Sequence, residues 1–362
     1  VYTDEQGRLP LLQSVRKAEE LLTQRPTPRS YLPIEGRAAY NQQVQHLVFG
    51  PHLKAVQENR VITIQALGGT GALKIGADFL KHFARQSRIW ISDPSWENHE
   101  ALFSFAGFDV LRYPYYNPDN HGLFFSEMLE TLEQAKTGDI VLLHACCHNP
   151  TGIDLNSSQW AEIIALTEKK QLVPFLDLAY QGFSESLEED RQVIERFVDS
   201  GQIVFVSNSF SKSFSLYGER VGALSVVLPD EIQAIHVRSQ LKRMIRANYS
   251  NPPHFGAQIV SDILQDVNLR SLWVSELTQM RDRIKLMRKQ FVECLHQHQT
   301  LVDFGFILKQ SGMFSYSGLS PEQVKRLRDE YSIYAVDSGR ICIAALNLVN
   351  VNRVAEAVAS VL

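Results

Sequence analysis

The chain has 362 residues, of which 44% are hydrophobic, and its formal net charge at pH 7 is −4. This is enough for a large core, and it suggests two domains or one large domain with an appendage. There is no basic block, and no apolar run approaches the roughly 20 residues of a membrane span, so neither nucleic acid nor a membrane is an expected partner. The four cysteines show no disulfide or zinc-ligand spacing, which predicts no metal site and a reducing, cytoplasmic location.

Short apolar or β-branched runs alternate with amphipathic helical stretches between residues 60 and 228. Strand-length runs spaced in this way predict an α/β fold, in which helices cover both faces of a mostly parallel sheet. The predicted strands of this sheet, seven in all, are Val61–Ala66, Arg88–Ser92, Asp109–Tyr113, Asp139–His144, Leu172–Asp177, Ile203–Ser207 and Val221–Leu228.

Helix signals recur in the rest of the chain. Asn156 and Ser320 each begin a capping-box pattern, and Pro321 at the first helical position strengthens the second one. The segment Leu269–Gln299 lacks glycine and proline, and its apolar residues recur at helical spacing. A single helix of that length would span roughly 45 Å and could connect two domains.

The C-terminal part is predicted to form a smaller α+β unit. The strands expected there are Phe304–Lys309, Met313–Ser317, Tyr334–Val336 and Arg340–Leu346. We therefore predict a large domain of residues 10–279 and a small domain made of residues 1–9 and 280–362.

The most informative segment is Ser209-Phe210-Ser211-Lys212, with Arg220 eight residues further on. A serine-rich segment with one lysine is by itself typical of a solvated turn. This one lies just beyond the carboxyl end of the predicted strand Ile203–Ser207, which is where α/β sheets bind ligands. This position predicts that the amine of Lys212 lies in a ligand site, beside an anion-binding site formed by Ser209, Ser211 and Arg220.

Two further polar groups follow strand ends. Asp177 ends the run Leu172–Asp177 and is followed by Tyr180, and Asn149 lies in Asn149-Pro150-Thr151-Gly152. Asp177 could be a helix cap or the carboxylate partner of a protonated ring nitrogen. The Asn-Pro-Thr-Gly motif is a β-turn signal, and such a turn would also fix the direction of Asn149.

Gly68-Gly69-Thr70-Gly71 separates the first predicted strand from a helix predicted over Ala72–Phe83. Glycines at this place let backbone N–H groups approach an anion at the helix N-terminus. The segment lacks both the Gly-Lys-Ser/Thr ending of a P-loop and the Gly-x-Gly-x-x-Gly spacing of a dinucleotide site. A dinucleotide-dependent oxidoreductase is therefore a weak alternative.

Aromatic and basic residues complete the candidate site. Trp96 follows the strand Arg88–Ser92 and could either stack on a flat ring or belong to the core. His99 could hold Asp177 from behind or be a structural histidine. Arg246 and Arg340 could each offer a planar guanidinium to a substrate carboxylate, although isolated arginines mostly lie on the surface.

Taken together, Asn149-Pro150-Thr151-Gly152, Asp177 with Tyr180, Ser209–Lys212 and Arg220 resemble the pyridoxal-phosphate site of the class I aspartate/aromatic-amino-acid aminotransferases. The resemblance runs from Val1 to Leu362, and bacterial aromatic (tyrosine) aminotransferases are the most similar group. It implies fold-type I, with a large domain around a mostly parallel seven-stranded sheet and a smaller α+β domain. The implied cofactor is pyridoxal 5'-phosphate.

The resemblance also implies roles for individual residues. Lys212 forms the Schiff base, Asp177 keeps the pyridine nitrogen protonated, and Tyr180 donates to the phenolic oxygen of the cofactor. Arg340 grips the α-carboxylate of the substrate beside Asn149 and Trp96. The implied cofactor-binding residues are Gly69, Thr70, Trp96, Asn149, Asp177, Tyr180, Ser209, Ser211, Lys212, Arg220 and Tyr31.

A homodimer with shared active sites is a further implication. Tyr31 would reach the phosphate, and Arg246 the side-chain carboxylate of aspartate or glutamate, each from the neighbouring subunit. Gly68 stands where many aspartate enzymes of the family carry serine. The family's N-terminal arm would precede Val1, so we expect that arm to be absent from this chain.

The predicted function is transamination between an aromatic (Tyr, Phe) or dicarboxylic (Asp, Glu) L-amino acid and a 2-oxo acid such as 2-oxoglutarate. An aspartate-preferring aminotransferase is one alternative, and another fold-type I reaction such as decarboxylation is a second. The third is a non-catalytic sensor of cofactor or amino acid, which would need an attached DNA-binding module. No basic helix of that kind is evident in the sequence.

Overall fold

The computed structural model describes residues 1–25, 28, 30–298 and 302–362. Its strands are β1 Val61–Leu67, β2 Ile89–Asp93, β3 Val110–Pro114, β4 Tyr116–Asn117, β5 Gly122–Leu123, β6 Ile140–His144, β7 Val173–Leu178, β8 Val204–Ser209, β9 Val221–Val227, β10 Phe314–Tyr316 and β11 Arg340–Cys342. Its α-helices are α1 Gln13–Thr23, α2 Ala38–Phe49, α3 Lys54–Gln57, α4 Gly68–Phe83, α5 Glu97–Phe105, α6 Phe125–Leu132, α7 Ser157–Lys170, α8 Gln192–Asp199, α9 Glu231–Asn248, α10 Phe255–Gln265, α11 Val267–Gln297, α12 Pro321–Tyr331 and α13 Val351–Val361.

The central sheet has seven strands in the order β1-β9-β8-β7-β6-β2-β3. Strand β9 runs antiparallel to both of its neighbours, and the other neighbouring pairs are parallel. The predicted sheet is therefore confirmed, and each of its strands begins and ends within two residues of the predicted position. Because six of the strands point the same way, their carboxyl ends meet along one edge of the sheet.

Side chains alternate between two hydrophobic cores on opposite faces of this sheet. Phe175 and Phe205 pack into the core that contains α4, α5 and α9, whereas their neighbours Leu176 and Val206 pack into the core on the other face. This alternation follows from the two-residue period of a strand. Burial on both faces explains why these strands read as continuous apolar runs in the sequence.

The predicted helix starts are confirmed. Asn156 and Ser320 cap α7 and α12 with both hydrogen bonds of a capping box, and Pro321 is the first residue of α12. The long helix α11 has 31 residues. It ends at Gln297, and the predicted end at Gln299 lies outside the described residues.

The strands predicted in the C-terminal part are only partly correct. Phe314–Tyr316 and Arg340–Cys342 pair as an antiparallel two-stranded sheet. The prediction is wrong for Gly305–Lys309, which is a 3₁₀ helix, and for residues 334–336, which are irregular. It is also wrong beyond Cys342, where Ile343–Ala345 forms another 3₁₀ turn. Short apolar runs form strands only where a partner strand lies beside them.

The N-terminal residues pack against the C-terminal part. The backbone N–H of Thr3 donates to the carbonyl of Ala344 at 3.1 Å, and the buried ring of Tyr2 lies 5.3 Å from the guanidinium of Arg283 on α11. These contacts favour grouping residues 1–9 with residues 280–362. The domain boundaries themselves stay a prediction.

Within the described ranges, no helix combines the length and apolar character needed to cross a membrane.

Candidate active site

A cavity of about 300 Å³ opens at the edge where the carboxyl ends of the parallel strands meet. This is the expected place for a ligand in an α/β sheet. Most of the residues predicted for the site line it, although their sequence positions run from 69 to 340. They are Gly69, Thr70, Trp96, Asn149, Asp177, Tyr180, Ser209, Ser211, Lys212, Arg220 and Arg340.

Asp177 lies at the end of β7 and is only 5% exposed. Its carboxylate accepts hydrogen bonds from Nε2 of His99 and from Oγ of Ser207, both at 3.0 Å. The contact with Asp177 is one of the two alternatives that the sequence left open for His99. Nδ1 of His99 lies 2.9 Å from the Ser95 hydroxyl, so the ring is held at both nitrogens. Burial favours a higher pKa for Asp177, but the hydrogen bond and charge of His99 outweigh it, and the pKa lies below its usual value.

The amine of Lys212 lies inside the cavity, with Nζ 4.8 Å from the centre of the Tyr180 ring. Burial lowers its pKa, the Asp177 charge acts in the opposite direction, and the Arg220 charge lowers the pKa further. A lowered pKa raises the fraction of uncharged amine, which is the nucleophilic form. The structure therefore places an amine with a lowered pKa in the same cavity as a buried carboxylate.

Hydroxyl, guanidinium and backbone N–H donors also line the cavity. Nη1 of Arg220 donates to the Ser211 hydroxyl at 3.2 Å, and the Ser209 and Ser211 hydroxyls are also 3.2 Å apart. The N-terminus of α4 opens onto the same place through Gly69 and Thr70. Such a set of donors is suited to a phosphate dianion.

The predicted start of this helix at Ala72 is wrong by one turn, because α4 already begins at Gly68. Tertiary packing outweighs the low helix propensity of glycine here. Gly68 has φ +68°, and a Cβ on it would lie 2.6 Å from Nη2 of Arg220. A Cβ on Gly69 would lie 3.2 Å from Cβ of Ser209. The absence of side chains therefore leaves room for Arg220 and Ser209 beside the first turn of the helix.

Arg340 approaches the cavity from β11. Its Nη1 donates to Oδ1 of Asn149 at 2.9 Å, and its guanidinium carbon lies 4.6 Å from the centre of the Phe314 ring. Packing against an aromatic ring leaves the rest of the planar donor group free for a carboxylate.

Pyridoxal phosphate, the implied cofactor, fits this donor set. A buried carboxylate can pair with the ring nitrogen, and an amine can condense with the aldehyde. A cluster of hydrogen-bond donors can bind the phosphate. The first turn of α4 supports the fit, because Gly69 and Thr70 line the cavity together with Ser209 and Arg220.

Comparison with known proteins agrees with this geometry. Residues 1–358 match the family described as aminotransferase class I and II. An aspartate aminotransferase from Pseudomonas aeruginosa is 52% identical over all of this chain and 91% of its own length. An aromatic-amino-acid aminotransferase from Escherichia coli is 48% identical with the same coverage of both chains.

The solved structures give the same result. An aromatic-amino-acid aminotransferase from Burkholderia pseudomallei, covalently bound to pyridoxal phosphate, superposes with a TM-score of 0.99 at 55% identity. The superposition covers 100% of this chain and 91% of that one. The chain belongs to the class I and II aminotransferase family. The aminotransferase has the fold-type I architecture that the sequence predicted.

Two predicted residues of the aminotransferase lie outside its cavity. Tyr31 is 91% exposed, and Arg246 is an exposed residue near the end of α9. Nη1 of Arg246 donates to the Ser250 hydroxyl at 2.5 Å. The resemblance had both residues reaching the site of a neighbouring subunit, and that assignment stays a prediction.

Sequence reasoning missed five residues that line the cavity of this aminotransferase: Leu73, His144, Ala179, Tyr217 and Phe314. His144 ends β6, so its position at a strand end was an available signal. Burial and the nearby His99 lower the pKa of His144 to about 3, and its Nε2 has no hydrogen-bond partner among the described residues. Tyr217 lies in the loop that carries Lys212, and Phe314 comes from a distant segment with no local signal.

Proposed function

We propose that this aminotransferase transfers the amino group of an aromatic or dicarboxylic L-amino acid to a 2-oxo acid such as 2-oxoglutarate, with pyridoxal phosphate as cofactor. One observation carries the proposal: a single cavity brings together the amine of Lys212, the carboxylate of Asp177 and the guanidinium of Arg340. The names of the relatives, which include both aspartate and aromatic-amino-acid aminotransferases, support this substrate range.

Ten of the residues that line the cavity have a proposed part in holding the cofactor. Lys212 would bind the aldehyde, Asp177 the ring nitrogen, and Trp96 a face of the ring. Asn149 and Tyr180 would donate to the phenolic oxygen. The phosphate would be held by Gly69, Thr70, Ser209, Ser211 and Arg220.

When bound, the cofactor supplies an aldehyde that condenses with amines and a protonated ring that accepts electrons. The lowered pKa of Asp177 keeps its carboxylate ionised, so it accepts a hydrogen bond from a protonated ring nitrogen. His99 fixes the orientation of that carboxylate. Lys212, once free, would take up the substrate's α-proton at Nζ and pass it on, a role that its lowered pKa favours.

Arg340 would bind the α-carboxylate through its planar pair of N–H groups. A carboxylate held there lies next to Asn149, which already contacts Nη1 of Arg340. Binding of the α-carboxylate at this position favours transamination over decarboxylation, because decarboxylation is disfavoured when the α-carboxylate is held in the plane of the ring.

We further propose that the active unit is a homodimer with shared sites, in which Arg246 and Tyr31 complete the partner's cavity. The exposure of both residues supports this assignment. A cytoplasmic location is supported by the four cysteines, which are all free thiols.

A single-turnover titration tests the proposed function. The cofactor-loaded protein is mixed with tyrosine or aspartate in the absence of any 2-oxo acid, while cofactor absorbance and released 2-oxo acid are measured. Equal amounts of product and loaded sites with both amino acids are expected. Conversion of aspartate alone would instead identify an aspartate aminotransferase, and binding without conversion would contradict catalysis.

The side-chain role of Arg246 can be tested through its dependence on substrate. For Arg246→Leu we expect kcat/KM for aspartate to fall about 10²-fold, since a charge-assisted contact is lost, and that for tyrosine to change less than about threefold. An arginine left unpaired against an aromatic ring is unfavourable, so it must turn to another partner when tyrosine binds. Ser250, its present partner, is available for that purpose.

Steady-state kinetics with both amino acids measures this difference. Arg243→Leu is the matched control, because Arg243 is also exposed on α9 and bonds to Gln240 on the same helix. Equal losses for tyrosine and aspartate in Arg246→Leu would show that Arg246 is not the side-chain anchor.

A further inference from the structure

Beside the cavity, the loop that follows β6 meets a segment from the C-terminal part. The backbone N–H of Ser311 donates to the carbonyl of Gly152 at 2.6 Å, and its hydroxyl donates to Oδ2 of Asp154 at 3.1 Å. Gly152 has φ +69°, and a Cβ there would lie 2.9 Å from the carbonyl oxygen of Phe314. The last residue of the Asn-Pro-Thr-Gly motif must therefore be small so that the two segments can touch.

A second close approach lies next to the first. Gly312 has φ +79°, and a Cβ on it would lie only 2.5 Å from Cβ of Cys147. The backbone N–H groups of Cys147 and His148 both donate to the carboxylate of Asp154 at 2.8 Å. One carboxylate thus holds the loop in shape and also binds Ser311 of the facing segment.

Arg288 of α11 holds the facing segment from the other side. It is 3% exposed, and its Nη2 donates to the carbonyls of Gly312 at 2.6 Å and Phe314 at 3.4 Å. In the part of the chain that the structure describes, no carboxylate forms an ion pair with it. Burial lowers its pKa to about 10, so it stays protonated at neutral pH. A buried cation needs polar partners, and these carbonyls supply them.

Both segments of this contact carry residues that touch Arg340, the proposed substrate-binding residue. The facing segment continues into β10, in which Tyr316 pairs with Arg340. Phe314, in the same segment, lies under the Arg340 guanidinium. The loop carries Asn149, which bonds to Arg340 at 2.9 Å. Where the loop and segment sit relative to each other therefore sets where Arg340 sits relative to Asn149.

We propose that Asp154, Ser311 and Arg288 are positioning residues for the substrate carboxylate. They clamp residues 311–315 against the loop that bears Asn149, and so hold Arg340 where it can bind the carboxylate. The inference rests on the proposed function, because it takes Arg340 as the carboxylate site. It makes a separable claim: loosening the clamp weakens the binding of substrate and leaves that of the cofactor unchanged.

Ser311→Ala tests this claim in the cofactor-loaded protein, because it removes the hydroxyl, whose acceptors are Oδ2 of Asp154 and, at 3.5 Å, the Gly152 carbonyl, and keeps the backbone bond to Gly152. We expect the dissociation constant of aspartate, from single-turnover titration, and that of succinate, from binding, to rise about fivefold. Cofactor affinity should change less than about twofold. Amide hydrogen exchange in residues 311–316 should become faster. Ser200→Ala, which removes a hydroxyl bonded to the Phe197 carbonyl, is the control and should change none of these values.

A double-mutant cycle identifies the route of the effect. If Ser311 acts through Arg340, then Ser311→Ala should weaken binding no further in an Arg340→Leu background. Equal effects in both backgrounds, or a parallel fall in cofactor and substrate affinity, would overturn the proposal. Unchanged substrate affinity in Ser311→Ala would also overturn it while leaving the proposed function intact. Unchanged affinity in Arg340→Leu alone would refute the proposed role of Arg340, and this inference with it.

Discussion

Replacing Lys212 by alanine is expected to lower kcat at least about 10⁴-fold, because one side chain supplies both the covalent anchor and the proton-transfer group. The variant should still bind pyridoxal phosphate, since Asp177 and the donors around Ser211 and Arg220 remain. Borohydride reduction followed by mass spectrometry should fix the cofactor to the wild-type protein and not to the variant. Turnover is followed with tyrosine and aspartate.

Lys74→Ala is the matched control for this prediction. Lys74 is a half-buried lysine of α4 that pairs with Asp78, and it does not line the cavity. Its replacement should leave kcat unchanged, and it should leave unchanged the mass that the reduced cofactor adds to the protein. A Lys212→Ala protein that still transaminates at a substantial fraction of the wild-type rate would defeat the assignment.

Replacing Arg340 by leucine is expected to lower kcat/KM about 10²–10³-fold for every amino-acid substrate, because truncating one partner of a desolvated charge pair costs about 2–5 kcal/mol. The value of kcat/KM should fall by a similar factor for tyrosine and for aspartate, since both carry the α-carboxylate. Steady-state kinetics with the two substrates measures this, and a cofactor titration shows whether the loss is confined to substrate.

Arg340→Lys serves as the second variant, because it keeps the charge and loses the planar fork. It should recover only part of the lost kcat/KM. A loss in Arg340→Leu that is confined to aspartate would contradict the assignment, since it would place Arg340 at the side-chain carboxylate. The contrast with Arg246→Leu then separates the two proposed carboxylate sites.

The sheet could be predicted because its strands are buried on both faces. A run such as Val204–Val206 is apolar at every position, and its length and neighbours exclude a helix. The C-terminal strands lack that signal. Phe306 and Ile307 are as apolar as strand residues, yet they lie in a 3₁₀ helix. Hydrogen-bonded partners decide such short segments, and a sequence does not show which partners are present.

The candidate site was predictable where chemistry coincides with a strand end. Asp177 lies near the end of a buried strand, and Asn149 and Lys212 follow buried strands, so their convergence at one edge of the sheet was expected. Phe314 carried no such signal, because its place under Arg340 depends on the contact between distant segments. The hydrogen bond between Arg246 and Ser250 could likewise not be predicted from the sequence, since it depends on the local backbone after α9.

The reversed strand β9 has a consequence for how the site is assembled. Because β8 and β9 are antiparallel, one hairpin loop joins them, and the pair Ser209↔Gly222 closes the loop that carries Lys212 and Arg220. These contacts are local in the chain, so little loop-closure entropy opposes them. The Asn149–Arg340 contact joins residues 191 positions apart. During synthesis from the N-terminus, the segments proposed to hold the cofactor are complete at Arg220, well before the chain reaches Arg340, the proposed substrate-binding arginine.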